Sequence, residues 1–142
     1  MIRTLQLLIV ISFLVSTSQE QTLNGININA PKGFVKAGDL HWSHGNENIM
    51  ISSFKGSVDS REGKSYCEKG SRASQFVDYL NLEVNGLTYG FCLQKGSNTL
   101  AIISAMVYRD GYTYNVMVSA EPDDYKRGFE IMGYMITRLN KF

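Results

Sequence analysis

The sequence predicts an α+β domain: an antiparallel β-sheet with a C-terminal helix packed across it. Three observations carry that expectation. Asn85-Gly86 lies between two alternating apolar runs, Asp110-Gly111 lies between two more, and residues 125–139 repeat large side chains at helical spacing. Asn-Gly and Asp-Gly suit the two-residue turn whose central positions both need positive φ, so each marks a tight hairpin.

From the N-terminus, Met1-Ile2-Arg3 gives a short positive start, Leu5 to Val15 an apolar run, and Ser16-Thr17-Ser18 small residues suited to signal peptidase. Residues 1–18 therefore read as a signal peptide. A bilayer-spanning helix needs roughly 20 apolar residues, and here the chain turns polar at Ser16, so cleavage is expected rather than a retained anchor. No Cys follows the apolar run to take a lipid, and no integral membrane segment is expected after cleavage. What remains, residues 19–142, has the length of a single globular domain with its own core. A periplasmic or extracellular location follows.

Leu23, Ile26 and Ile28 alternate with Asn24, Asn27 and Asn29 and predict a short strand, ended by Ala30-Pro31-Lys32-Gly33-Phe34. Phe34 and Val35 are expected in a turn or the start of a brief helix. Leu40 to Ser43 and Ile49 to Phe54 read as two strands joined through Gly45-Asn46. Gly56 to Ser74, rich in Gly, Ser and charge, reads as a long loop or a loop carrying one weak helix. Long connections in compact domains tend to be functional, which draws attention to this one.

In the first hairpin, Phe76 to Val84 and Leu87 to Gln94, the turn sets Val84 against Leu87, Leu82 against Tyr89 and Leu80 against Phe91. Glu83 with Thr88 and Asn81 with Gly90 fall on the other side. A slip of one residue would exchange the faces, so the pattern fixes the register. In the second, Thr99 to Arg109 and Tyr112 to Ser119, the facing pairs are Val107 with Tyr114, Ala105 with Val116 and Ile103 with Val118. The reverse face carries Ile102, Ser104, Met106, Tyr108, Asn115 and Met117, and this mixture predicts central strands covered on both sides. Glu121-Pro122-Asp123-Asp124 is then expected to open a helix, with Pro122 in its first turn and the two carboxylates near its positive end. Tyr125, Phe129, Met132, Ile136 and Leu139 form its sheet-facing stripe.

The residues Ile26 to Phe34, Trp42, Tyr108 to Ser119 and the helix ending Met135-Ile136-Thr137-Arg138-Leu139 together resemble the PsbP-like superfamily of extracytoplasmic α/β/α domains. That superfamily includes the PsbP subunit of photosystem II and bacterial envelope proteins of the DcrB and LpqN type. The resemblance covers most of residues 26–142. Such folds place a helix mid-chain, where this sequence has Gly56 to Ser74. The resemblance implies an α/β/α sandwich and an accessory or binding role rather than a reaction.

Charge and motifs narrow the function. The formal charge of +1 includes Arg3, which leaves with the leader, so the remaining domain is neutral. Its loose basic set, Lys55, Arg61, Lys64, Lys69 and Arg72, is diluted by Asp59, Glu62 and Glu68, and no nucleic-acid partner is expected. Cys67 and Cys92 both lie in the exported part, where a disulfide is the leading reading. Closing that loop would contribute on the order of 3–4 kcal/mol in the chain-entropy model. The alternatives are two buried free thiols, or a reactive or metal-binding thiol.

His41 and His44 stand three apart on an expected strand, where they point to opposite faces, so no metal site is expected. Gly-x-Ser-x-Gly, Gly-x-Gly-x-x-Gly and a Walker loop are missing, and no cofactor is expected. Trp42 is read as a core or rim aromatic. Tyr89, Tyr108, Tyr112 and Tyr114 gather around the hairpins and form the candidate binding surface, together with Gly56 to Ser74.

The leading expectation is an exported non-enzymatic domain that binds an envelope protein partner or supports an assembly. The second is a small-molecule carrier with an apolar pocket between sheet and terminal helix, lined by Met106, Met117, Met132 and Phe129. The third is an enzyme using Cys67 or His41 and His44, which would have to converge in a cleft.

Overall fold

A computed structural model describes residues 20–70 and 72–140. The expected leader, residues 1–18, lies outside them. Strands β1 (Glu20–Leu23) and β2 (Ile26–Asn29) form a hairpin on their own, turning through Asn24 and Gly25, both at positive φ. Then come β3 (Val35–Gly38), β4 (His41–His44), β5 (Glu47–Lys55), helix α1 (Ser60–Lys69), β6 (Gln75–Val84), β7 (Leu87–Lys95), β8 (Leu100–Arg109), β9 (Tyr112–Pro122) and helix α2 (Tyr125–Asn140).

Strands β3 to β9 form one antiparallel sheet in the order β3-β4-β5-β9-β8-β7-β6. The two expected hairpins are present in the expected register. Val84 pairs with Leu87, Leu82 with Tyr89 and Leu80 with Phe91 in one, and Val107 with Tyr114, Ala105 with Val116 and Ile103 with Val118 in the other. Asn85, Gly86, Asp110 and Gly111 all take positive φ, as a primed turn requires. β8 and β9 become central because β7 joins one side of them and β5 the other.

Strand alternation gives this sheet two unlike faces. On one, Phe91, Leu93, Ile103, Ala105, Val107, Val116, Val118, Ile49 and Ile51 are buried. Helix α2 closes that face with Met132, Met135, Ile136 and Leu139, each fully buried. Gly128 allows the close approach, since a Cβ there would lie 2.9 Å from Ile103 Cδ1. The β1–β2 hairpin completes the cover: Asn24 Nδ2 donates to Ser53 Oγ at 3.0 Å, and Tyr134 Oη donates to the Ala30 carbonyl at 3.4 Å. The molecule is thus an α+β sheet domain with its C-terminal helix laid across it, as the sequence predicts.

Two local expectations need correction. Val35 opens strand β3 rather than a brief helix. Its residues are largely exposed and form a strand because β4 pairs with them, which no local alternation announces. Pro122 ends β9 opposite Leu100 instead of sitting in the helix. Asp123 then turns at φ 59°, α2 begins at Tyr125, and the Asp124 carboxylate accepts from Arg127 N at 3.0 Å. Of the two readings of Gly56 to Ser74, the loop carrying a helix is the one present: α1 has ten residues and is started by Asp59, whose carboxylate accepts from Arg61 N and Glu62 N.

Candidate functional site: the open face of the sheet

The second face of the sheet is built from the alternate residues of the same strands. Across neighbouring strands, register aligns His41, Met50, Met117, Ser104, Cys92 and Tyr79 in one row. Ser52, Asn115 and Met106 form the adjacent row. The sequence expectation was cover on both sides; among the described residues, only α1 lies on this face, and it sits over β6 and β7. Met50 and Tyr108 remain exposed, and Met106, Ser104, Asn115 and Met117 half-exposed.

Helix α1 is attached by the Cys67–Cys92 disulfide, with Cα atoms 5.6 Å apart. Of the three sequence readings of these cysteines, the bonded pair is the one present. Cys67 is the only buried residue of the helix, so the covalent link does what an apolar stripe does elsewhere. Beside the link, Tyr79 crosses under α1. Its phenol occupies the space that a side chain at Gly90 would fill, and its hydroxyl comes 3.4 Å from the Cβ position of Gly63. Burial pushes the Tyr79 hydroxyl up from the ordinary tyrosine value, so it stays a protonated donor at neutral pH.

Between α1 and the sheet opens a cleft of about 390 Å³, lined from the helix by Asp59, Ser60, Gly63 and Tyr66 and from the sheet by Tyr79, Thr88, Gln94, Ser104, Met106 and Asn115. A shallower depression of about 420 Å³ continues across the same face at Leu40, His41, Met50 and Met117. Among the described residues Asp59 is the one charged side chain lining the cleft, and its Oδ1 is engaged by the backbone of the α1 N-terminus.

The four tyrosines of the expected binding surface are not brought together. Tyr114 is 1% exposed on the closed face, and Tyr112 packs against the same core. Tyr89 turns its hydroxyl to Asn140 Nδ2 on the α2 side and is also one of the residues lining the cleft beside α1. Tyr108 stands on the open face, 57% exposed. Alternation separates them, because Tyr108 is out of phase with Tyr112 and Tyr114 across the turn. The residues named for a carrier pocket are divided in the same way: Met132 is fully buried in the α2 interface with Phe129 packed against the same core, whereas Met106 and Met117 sit on the opposite face.

The residues named for an enzyme also stay apart. Cys67 is held in its disulfide. His41 is on the open side, its Nε2 2.9 Å from Asn48 Oδ1, while His44 is on the closed side, against the Phe34 ring and 3.5 Å from Glu47. Trp42 between them is fully buried, as a core aromatic. Among the described residues, no group of three or more His, Cys, Asp and Glu is placed to hold a metal. The site residues missed by sequence reasoning are Tyr66, Tyr79, Gln94 and the Ser104–Asn115 pair of rows; the reverse-face pattern of the second hairpin contained the last two.

No protein-family model matches the chain, and no curated protein matches it in sequence. In structure it is similar to cyanobacterial PsbP (CyanoP) from Synechocystis sp. PCC 6803, solved in solution. The TM-score is 0.57 at 12% identity, covering 84% of this chain and 89% of that one. At that identity the likeness speaks to fold, and the fold is PsbP-like.

Proposed function

We propose that this chain is an exported, non-enzymatic binding domain of the cell envelope, periplasmic or extracellular, that engages its partner through the open face of its sheet. The observation that carries the reading is the asymmetry of the sheet. One face is covered by α2 and the β1–β2 hairpin over all but the β6–β7 end, where Leu82 and Leu87 stay exposed, while the other leaves Met50 and Tyr108 exposed, Met106 and Met117 half-exposed, and a cleft open beside α1. Large apolar side chains left on one face of an otherwise closed domain mark interaction surfaces. A disulfide is at home in an oxidising compartment, which agrees with the leader read at residues 1–18. No helix among the described residues is long and apolar enough to cross a membrane.

Site-specific photo-crosslinking in native cells tests this reading. A photoreactive side chain at Met106 is expected to give discrete adducts that one at Glu130, exposed on the α2 side, does not. Identical adducts from both positions, or none from Met106, would remove the open face from consideration. A second reading, a small-molecule carrier, is favoured by the cleft beside α1 and by nothing at the α2 interface.

A further inference from the structure

We propose that the cleft between α1 and the sheet binds a neutral, hydroxyl-rich ligand, the chemistry of a saccharide. The proposal rests on the open face being the binding surface and names what that surface takes. Its support is the character of the groups that line the cleft. Thr88, Gln94, Ser104 and Asn115 present neutral donors and acceptors there, and none of these side chains, nor the Tyr79 hydroxyl, has a hydrogen-bond partner among the described residues. Amides and hydroxyls supply both a donor and an acceptor, which is what a sugar hydroxyl, itself both, requires.

Charge excludes the other common classes. Among the described residues no Lys, Arg or His lines the cleft, so no cationic side chain of theirs compensates a phosphate or carboxylate. The one acid among the described residues there, Asp59, is held through Oδ1 by the N–H groups of Arg61 and Glu62 at 2.7 and 2.9 Å, and a single carboxylate does not make up the set of charged oxygen ligands that a metal cation takes. A purely apolar ligand would bury four or more polar side chains without partners, at a cost of about 1–3 kcal/mol each.

Shape agrees as well. Tyr66 lines the cleft while 63% exposed, an unusual position for a ring on a helix held down by a single bond. An aromatic ring with a negative π-face accepts the C–H-rich face of a pyranose, and tyrosine adds a polar tip. A volume of about 390 Å³ lies in the lower part of the range for small-ligand sites, ~300–1,000 Å³, and suits a short oligosaccharide rather than a large lipid.

Ligand-observed saturation-transfer NMR on the intact, oxidised chain tests the proposal with cellobiose, maltose and N,N′-diacetylchitobiose, using glucuronate and glucosamine as charged counterparts. At least one neutral disaccharide is expected to receive saturation, and the charged sugars at least five-fold less. Tyr66→Ala and Asn115→Ala should each lower the signal at least five-fold, while Glu130→Ala, exposed on the α2 side, leaves it unchanged. Tyr66 and Glu130 are both exposed, so these variants keep the comparison valid if Asn115→Ala fails to fold. Co-sedimentation with an insoluble neutral glucan separates sources: binding lost in Tyr66→Ala assigns a polymer, and saturation transfer without co-sedimentation assigns a free sugar. Silence from every neutral sugar and from the glucan, or a signal indifferent to Tyr66→Ala, overturns the saccharide assignment. If Met106 crosslinks persist in that case, the open face remains a binding surface for something else; if they vanish too, both readings fall.

Discussion

Glu47 opens β5 at the edge of its turn, yet its side chain is only 14% exposed. Arg127, in the first turn of α2, donates Nε to Oε1 at 2.7 Å and Nη2 to Oε2 at 3.0 Å, a bidentate fork between distant parts of the chain. The Arg127 hydrogen bonds hold the Glu47 carboxyl below its ordinary value of 4.5, with burial working against them and His44 adding a smaller pull. A carboxyl with a depressed folded-state pKa binds fewer protons when folded than when unfolded. Its contribution is therefore full above 4.5 and is lost as pH falls through the lower folded value. Glu47→Gln is expected to cost on the order of 1 kcal/mol at pH 7, discounted for the exposure of Arg127. Urea unfolding of both proteins from pH 7 downward should show the gap narrowing below 4.5; a gap constant with pH would assign the loss to packing instead. Nothing in the sequence announces this pair, because Glu47 and Arg127 meet only once the sheet has placed β5 beneath α2.

At the scale of elements, α1 and α2 are held by opposite means. The stripe of α2 buries Met132, Met135, Ile136 and Leu139, and its spacing was legible in the sequence, as were both hairpins, since each depends on nearby residues alone. Helix α1 has ten residues, one of them buried, and an exposed Lys64–Glu68 pair 3.7 Å apart that contributes little. A helix that short is marginal by itself in water. Its lack of an apolar stripe is why Gly56 to Ser74 read as a loop or a weak helix: the bond from Cys67 to Cys92 replaces the signal that periodicity would give. Replacing both cysteines with serine is accordingly expected to lower stability by about 3–4 kcal/mol and to release α1 selectively. Hydrogen exchange should rise throughout Ser60–Lys69 while β8, β9 and α2 keep their protection. Retained protection in α1 would mean that Tyr79 and Val58 suffice to hold it.

For the molecule as a whole, the decisive property is which face each residue meets, and that is set by register across seven strands. Sequence alternation placed Ile103, Ala105 and Val107 together on one face and Ser104, Met106 and Tyr108 on the other, but it carried no information on what covers the second face. The candidate tyrosines, close in the chain, were divided for that reason, and the cleft could not be read because its far wall, α1, comes from a segment without periodicity. Met132 and Met106 turn this into a measurement, since both are methionines packed on the sheet, Met132 from α2 on the closed face and Met106 from β8 on the open one. Met132 is sealed between α2 and the strands, so Met132→Ala leaves a cavity in a closed interface and is expected to cost about 2–5 kcal/mol. Met106 is half-exposed at the cleft, where water or a ligand takes the place of the lost atoms, so Met106→Ala should cost about 1 kcal/mol or less. Guanidinium unfolding of the two variants gives both values. Equal losses would mean that the second face is as closed as the first, and would leave no room for a ligand there.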